Sequence, residues 1–334
     1  MCKTSYGNEN LGFFEKRGEM RMNKVETPYT DVVSDTAIPA KNMRSMVQAV
    51  KALIKIGIVN SNLITVIAGF WLAIYIHGLT FSEHIGTLIM TLIGSGLVIA
   101  GGAILNNWYD VDIDPKMTRT KTRPTVTGLF SLRAVLISGI VTTIIGLGIL
   151  FLFTNAYAAL FAFIGWFVYI VLYTMWTKRK YTLNTIVGCI SGAMPPLIGW
   201  FAITPELHIV PIGLFLIMFI WQTPHFLALA MKKMDEYKEA GVPMLPVVYG
   251  FNITKRQIIV YIACLLPLPL LLTSLGTTFV VIATALNIGW LILAVSGLFV
   301  KDDLKWANRI FVYSLNYLVI LFPLMVIVTL PIFN

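Results

Sequence analysis

The ten residues Asn106-Asn107-Trp108-Tyr109-Asp110-Val111-Asp112-Ile113-Asp114-Pro115 follow directly on a long apolar run. Acidic groups at the edge of such a run are costly unless they are solvated, paired or bound to a ligand. A helix continuing to Pro115 sets Asn107, Asp110 and Asp114 at i, i+3 and i+7 on one face, with Asn106 beside them and Asp112 turned away. That row of oxygens suits Mg²⁺, which prefers carboxylates with waters and substrate phosphate oxygens to a closed protein cage. The implied substrate is phosphorylated. Four cations follow within ten residues, Lys116, Arg119, Lys121 and Arg123, so metal ligands and phosphate partners share one loop. The plainer account is a topogenic basic loop beside a solvated helix end, and the acidic helix face weighs against it.

Three further groups invite chemistry. Asp235 and Glu236 lie in Lys232-Lys233-Met234-Asp235-Glu236-Tyr237-Lys238, again at a helix end, and their place four helices after the first loop suggests an internal duplication. Tyr173, Lys178, Arg179, Lys180 and Asn184 could clamp a diphosphate or merely set topology. His225, within Trp221-Gln222-Thr223-Pro224-His225-Phe226, could carry a proton or serve as axial ligand to a metallo-tetrapyrrole; the bland alternative is a hydrogen-bonded packing residue. Asn60 and Asn62, inside the first apolar run, are expected to face the bundle interior.

The elements that must hold these groups are membrane helices. Of the 334 residues 57% are hydrophobic and only 12% charged, and the mean hydropathy is +0.80, well above a soluble domain. Apolar stretches long enough to cross about 30 Å of hydrocarbon recur from residue 52 onward. They predict an all-α polytopic membrane protein of about nine transmembrane helices around a central cavity, at 53–76, 85–105, 132–153, 156–176, 184–203, 209–231, 257–275, 279–300 and 310–331. All 25 Lys and Arg fall in the N-terminal segment, the loops 106–131, 177–183, 232–256 and 301–309, or the adjoining helix ends. The positive-inside rule then puts the N-terminus and the active site in the cytoplasm of an inner (cell) membrane, with Asn334 outside. The net charge of +9 is explained by topology and anionic lipid, not nucleic acid. Residues 1–45 are polar without apolar periodicity and are expected to form a disordered cytoplasmic tail ahead of one membrane domain, 46–334. Cys2, Cys189 and Cys264 are too scattered for a disulfide framework or thiolate metal site.

Over residues 50 to 331 the sequence resembles the intramembrane aromatic prenyltransferases. Their Asn-x-x-Asp-x-x-x-Asp signature is matched by Asn107, Asp110 and Asp114. The narrower strings Asn106 to Pro115, Arg123-Pro124, Gly192-Ala193-Met194-Pro195-Pro196, Trp221 to Phe226 and Gly241-Val242-Pro243-Met244-Leu245-Pro246 are similar to the haem-modifying subgroup. The resemblance implies transfer of a farnesyl group from farnesyl diphosphate to a vinyl group of protohaem IX, with water supplying a hydroxyl. Asn107, Asp110 and Asp114 would hold Mg²⁺. Asn106, Arg119, Lys121, Arg123, Tyr173 and Lys178 would contact substrate, and Asp235 and His225 would form the second half of the site. A product used by terminal oxidases implies contact with the next haem-modifying enzyme. The chain departs from the family pattern twice: Asp235 and Glu236 lack a further aspartate four residues on, and Tyr173 and Lys178 are five residues apart.

Two rivals remain at this level. A sister prenyltransferase acting on a quinone-precursor ring or a chlorin shares the fold and first motif but not the narrower strings. A secondary transporter also uses a helical repeat, but places ionisable groups near the midplane, whereas the acids here gather at one surface.

Overall fold

The computed structural model describes residues 43–330. The expected tail, 1–45, lies outside these except for 43–45, which open a short helix α1 (Met43–Leu53). Eight helical stretches among the described residues are long and apolar enough to cross a membrane. They are built on α2 (Ile56–Ile76), α3 (Ile85–Tyr109), α4 (Leu132–Phe153), α5 (Ala156–Phe167, continued to Thr177), α8 (Ile209–Lys232), α10 (Leu245–Cys264, continued to Leu275), α11 (Thr277–Ser296) and α12 (Asp303–Ile327). Ile137, Ile144, Phe151 and Leu152 on α4 are exposed, as side chains facing lipid would be. The all-α membrane architecture therefore stands.

The stretch expected as the fifth span, 184–203, is broken in two, α6 (Asn184–Gly192) and α7 (Pro195–Phe201). Pro195 and Pro196 have no N–H to give to the preceding turn, so the first helix stops and the second starts on them. Together they rise about 27 Å, close to the hydrocarbon thickness. The span placed at 257–275 begins earlier. Its helix starts at Leu245 and bends at Gly250, whose φ of 74° suits only glycine. Lys255, assigned to a loop by hydropathy, is helical and buried, donating to the Gly297 carbonyl at 2.9 Å and to Asp303 at 2.8 Å. Those partners, where α11 ends and α12 begins, satisfy the charge and mark the level of the loop face.

Close helix contacts are made by small residues, as expected where no hydrophobic force drives apolar helices together in lipid. On α2 and α7 the backbones touch: a Cβ on Gly69 would lie 2.0 Å from the Pro196 carbonyl oxygen, and one on Gly199 2.0 Å from that of Val66. Asn60 is exposed, and Asn62 bonds within its own helix to the Ile58 carbonyl, so neither links helices. Successive spans alternate in direction, which brings residues 52–55, 110–131, 178–183, 233–244 and 297–302 to one end of the bundle. Every ion pair among the described residues lies at that end.

Candidate active site

Helix α3 ends at Tyr109 and does not run on to Pro115. Asp110 turns out of it at φ −88°, ψ 6°, and a short 3-10 turn, Asp114–Lys116, begins four residues later. Pro115 disfavours helical backbone at Asp114, which explains the change of form. The four-residue spacing nevertheless survives the break, because Asp110 N–H bonds to Asn106 O at 3.0 Å and Asp114 N–H to Asp110 O at 2.9 Å. Asn106, Asn107, Asp110 and Asp114 are all at most 3% exposed, whereas Asp112 points away and is exposed.

Each candidate metal ligand has one arm anchored and one oxygen that accepts no hydrogen bond, although Arg179 lies 3.5 Å from that of Asp110. Asn107 gives its amide N–H to the Leu53 carbonyl at 2.7 Å, Asp110 Oδ2 takes Lys178, and Asp114 Oδ2 takes Arg123 at 2.6 Å. The remaining oxygens, Asn107 Oδ1, Asp110 Oδ1 and Asp114 Oδ1, are buried without a hydrogen-bond partner. Buried oxygens that accept no hydrogen bond are expensive. Three together, all hard ligands, fit a divalent cation such as Mg²⁺. The electrostatics agree: burial, with the charge of Asp110, raises the Asp114 carboxyl above its usual range against the pull of Arg123. Burial would raise Asp112 too, but its hydrogen bond to Arg179 outweighs that and lowers it.

The cations come from three directions. Arg179 spans Asp112 at 2.7 Å and Asp110 at 3.5 Å, gives a hydrogen bond to the Tyr109 carbonyl, and lies 4.8 Å over the Tyr109 ring. Lys178 reaches Asp110 from the end of α5, whose last ten residues, Val168–Thr177, form a π-helix. Such turns carry one extra residue and collect at functional sites. The bond from Lys178 N–H to the Tyr173 carbonyl, 2.8 Å, runs over five residues. The unusual spacing of Tyr173 and Lys178 is thereby absorbed, since five residues here close one turn as four would in an α-helix. Tyr173 itself stacks on Tyr169, with centroids 6.0 Å apart.

Lys55 was not singled out from the sequence. It donates to Asn106 Oδ1 and stands 3.4 Å from the Tyr169 hydroxyl, while Asn106 Nδ2 donates to Asp110 at 2.9 Å and to Thr174 at 3.1 Å. It is the one non-glycine residue with positive φ among those described, 52°, a conformation that costs about 1–2 kcal/mol. Burial first, then the charges of Arg123 and Lys178, hold its amine well below the ordinary lysine value.

Other candidates stand apart. Arg119 and Lys121 are exposed and form no ion pair among the described residues. Asp235 is exposed and Glu236 pairs with Lys233, both in α9 (Met234–Glu239). The second loop does meet the first, but through packing: Ala240, Val242 and Met244, with Tyr237, cover Ile113 and Met117. Burial raises the Tyr237 phenol, and nearby Arg119 opposes it. His225 contacts none of these groups; it bonds to Ser314 on α12 at 2.7 Å.

Residues 62–316 match the model of the UbiA prenyltransferase family. The chain belongs to the UbiA prenyltransferase family. Among curated UbiA-family relatives, the protoheme IX farnesyltransferase of Oceanobacillus iheyensis is 67% identical over 315 residues, 94% of this chain and all of that one. That of Bacillus cereus is 56% identical over 309 residues, 92% of this chain and 99% of its own. Among solved structures, a digeranylgeranylglyceryl phosphate synthase aligns with TM-score 0.67 at 19% identity, covering 85% of this chain and 98% of that one. A UbiA homolog from Archaeoglobus fulgidus bound to GPP and Mg²⁺ aligns with TM-score 0.60 at 14% identity, covering 83% and 99%. At those identities the likeness carries the UbiA fold alone.

Proposed function

We propose that this chain transfers the farnesyl group of farnesyl diphosphate to a vinyl group of protohaem IX, with addition of water, from an active site on the cytoplasmic side of the cell membrane. The observation that carries this reading is the likeness, through nearly the whole chain, to two protoheme IX farnesyltransferases. Three open oxygens on Asn107, Asp110 and Asp114 support the metal-dependent half of it.

The chemical task is to ionise an allylic diphosphate. Asn107, Asp110 and Asp114 would hold Mg²⁺, which when bound neutralises charge on diphosphate oxygens. Arg123 and Lys178 stand one on each carboxylate, where they would also meet a diphosphate bound there, and their attraction would grow as the C–O bond breaks. Arg119 and Lys121, exposed on the same loop, add charge at its mouth. Tyr169 and Tyr173 offer aromatic faces to the allylic cation beside that position. Asn106 keeps Asp110 oriented, and Asp235 is left as support for the diphosphate from the second loop. By the positive-inside rule the basic loops support an N-terminus inside and a C-terminus outside, and the next haem-modifying enzyme would receive the product.

The deciding experiment is mass analysis of haem after incubating the purified chain in detergent with protohaem, farnesyl diphosphate and Mg²⁺, with and without chelator. A farnesyl-plus-water adduct that disappears with chelation is expected. Unmodified haem under conditions where another ring acceptor is prenylated overturns the acceptor assignment.

A further inference from the structure

His225 sits in an aromatic slot. Trp221 stacks on it at 5.0 Å and 22°, Phe311 at 4.7 Å and 26°, and Phe226 meets it edge-on at 5.2 Å. Its Nδ1 lies 2.7 Å from Ser314 Oγ, and Ser314 Oγ lies 2.6 Å from the Phe311 carbonyl oxygen. A carbonyl can only accept, so the single serine proton goes to Phe311, and Oγ must accept from the imidazole. The proton of a neutral ring is thereby fixed on Nδ1. Trp221 strengthens the arrangement by donating its indole N–H to the Ser314 carbonyl at 2.9 Å. The atom left over, Nε2, has no hydrogen-bond partner, and it is not among the enclosed ones. An imidazole held by its far nitrogen, with an unprotonated and accessible Nε2, is the form in which histidine binds metals.

The helix geometry sets His225 on α8 within two turns of the residue that packs on the acidic loop. Counting 100° per residue, His225 is about 100° round α8 from Phe226 on the side of α12, and Ala230 about 40° the other way. Ala230 packs on Ile113 and Met117 of the acidic loop, while Phe226 between them is 38% exposed. The metal-binding loop and the histidine therefore flank the same open strip of α8. Lys232, two turns beyond His225 and about 10 Å along the axis, has only neutral partners among the described residues, Asn308 at 2.6 Å and the face of Phe311 at 4.5 Å. Its uncompensated charge suits a carboxylate at the distance of a porphyrin's acid edge from its centre.

We infer that Nε2 of His225 ligates the iron of the tetrapyrrole acceptor, and that Ser314 is the positioning residue that keeps Nε2 free to do so. This rests on the acceptor being a haem, as proposed above, and deepens that reading by naming the protein atom that meets the iron.

The test is titration of the purified full-length chain with ferric protohaem, without farnesyl diphosphate, followed by the Soret band and by electron paramagnetic resonance. The parent should bind saturably with an imidazole-ligated signature. His225→Ala should lose that signature and regain it when imidazole is added. Ser314→Ala should bind roughly tenfold more weakly, the usual effect of removing the partner of a ligating histidine, and Ser314→Thr, which keeps the hydroxyl, should restore it. A His225→Ala protein with the parent's signature, or a Ser314→Ala protein with the parent's affinity, overturns the inference while leaving the acceptor reading intact. A parent that binds no haem, yet still binds farnesyl diphosphate with Mg²⁺, overturns both.

Discussion

Arg123 grips one oxygen of the Asp114 carboxylate at 2.6 Å and leaves the other buried and bare. Lys178 holds one oxygen of Asp110, whose other oxygen accepts no hydrogen bond but has the Arg179 guanidinium 3.5 Å away. In both pairs the cation fixes the direction of the second oxygen, so a metal bound there, as proposed, would demand little reorganisation. The pairs are structural and functional at once, and these roles can be separated.

Arg123→Ala leaves a carboxylate uncompensated in a buried place. Removing one partner of such a pair costs about 3–5 kcal/mol, so the thermal midpoint in detergent should fall markedly. Adding Asp114→Asn should recover most of that stability while turnover stays lost. If the double variant is no more stable than the single one, the pair is not what holds this loop.

Asp110→Asn keeps the shape and removes the charge. Turnover should drop by about 10²- to 10³-fold, the usual loss when one charge-stabilising group is removed, and the rate should respond to much higher Mg²⁺ concentrations than the parent needs. Parent-like turnover and Mg²⁺ dependence in the purified variant would remove Asp110 from the metal site.

Lys55→Gly separates backbone from amine. Glycine adopts the positive φ freely, which offsets the freer unfolded chain and the loss of the donor to Asn106, so the thermal midpoint should change little. The bond to Asn106 goes with the side chain, and turnover should fall by roughly tenfold as Asn106 and Asp110 lose their alignment, on the order of one hydrogen bond to a charged group. Unchanged steady-state kinetics would show that Lys55 merely starts the helix.

Gly199→Ala tests the packing of α2 on α7. Its Cβ would sit 2.0 Å from the Val66 carbonyl oxygen, and overpacking of this kind costs about 1–3 kcal/mol or more. The thermal midpoint should drop, with turnover per folded molecule little changed, because the contact lies away from the acidic loop. A parent-like midpoint would mean that the two helices separate at no cost.

What the sequence disclosed follows the physics of each signal. Transfer of apolar side chains into lipid is a large, local term, so the spans and the loops bearing Lys and Arg were legible. Backbone events inside an apolar run leave no trace in hydropathy. The break at Pro195, the early start of α10 at Leu245 and the π-helix before Lys178 could only be guessed at from proline, glycine and odd spacing. Asn107, Asp110 and Asp114 could be grouped as candidates because they are neighbours along the chain, and the structure buries all three. Lys55 escaped because its partner Asn106 is 51 residues away, and a lysine at the edge of a span ordinarily reads as topology. Asp235 shows the converse: acids and bases adjacent in sequence suggested a mirror of the first loop, and the two loops meet through Tyr237, Val242 and Met244 with Asp235 exposed.

The ten-residue π-helix Val168–Thr177 also carries a consequence for how this lineage can change length. A residue gained inside a membrane span would ordinarily rotate everything after it by about 100°. Here the wider turn swallows the added residue, and the lysine beyond it still arrives at Asp110. Relatives one residue shorter between Tyr169 and Lys178 are then expected to hold the same amine in the same place with an ordinary α-helix. An indel in a hydrophobic segment, normally a sign of misalignment, would be the genuine correspondence.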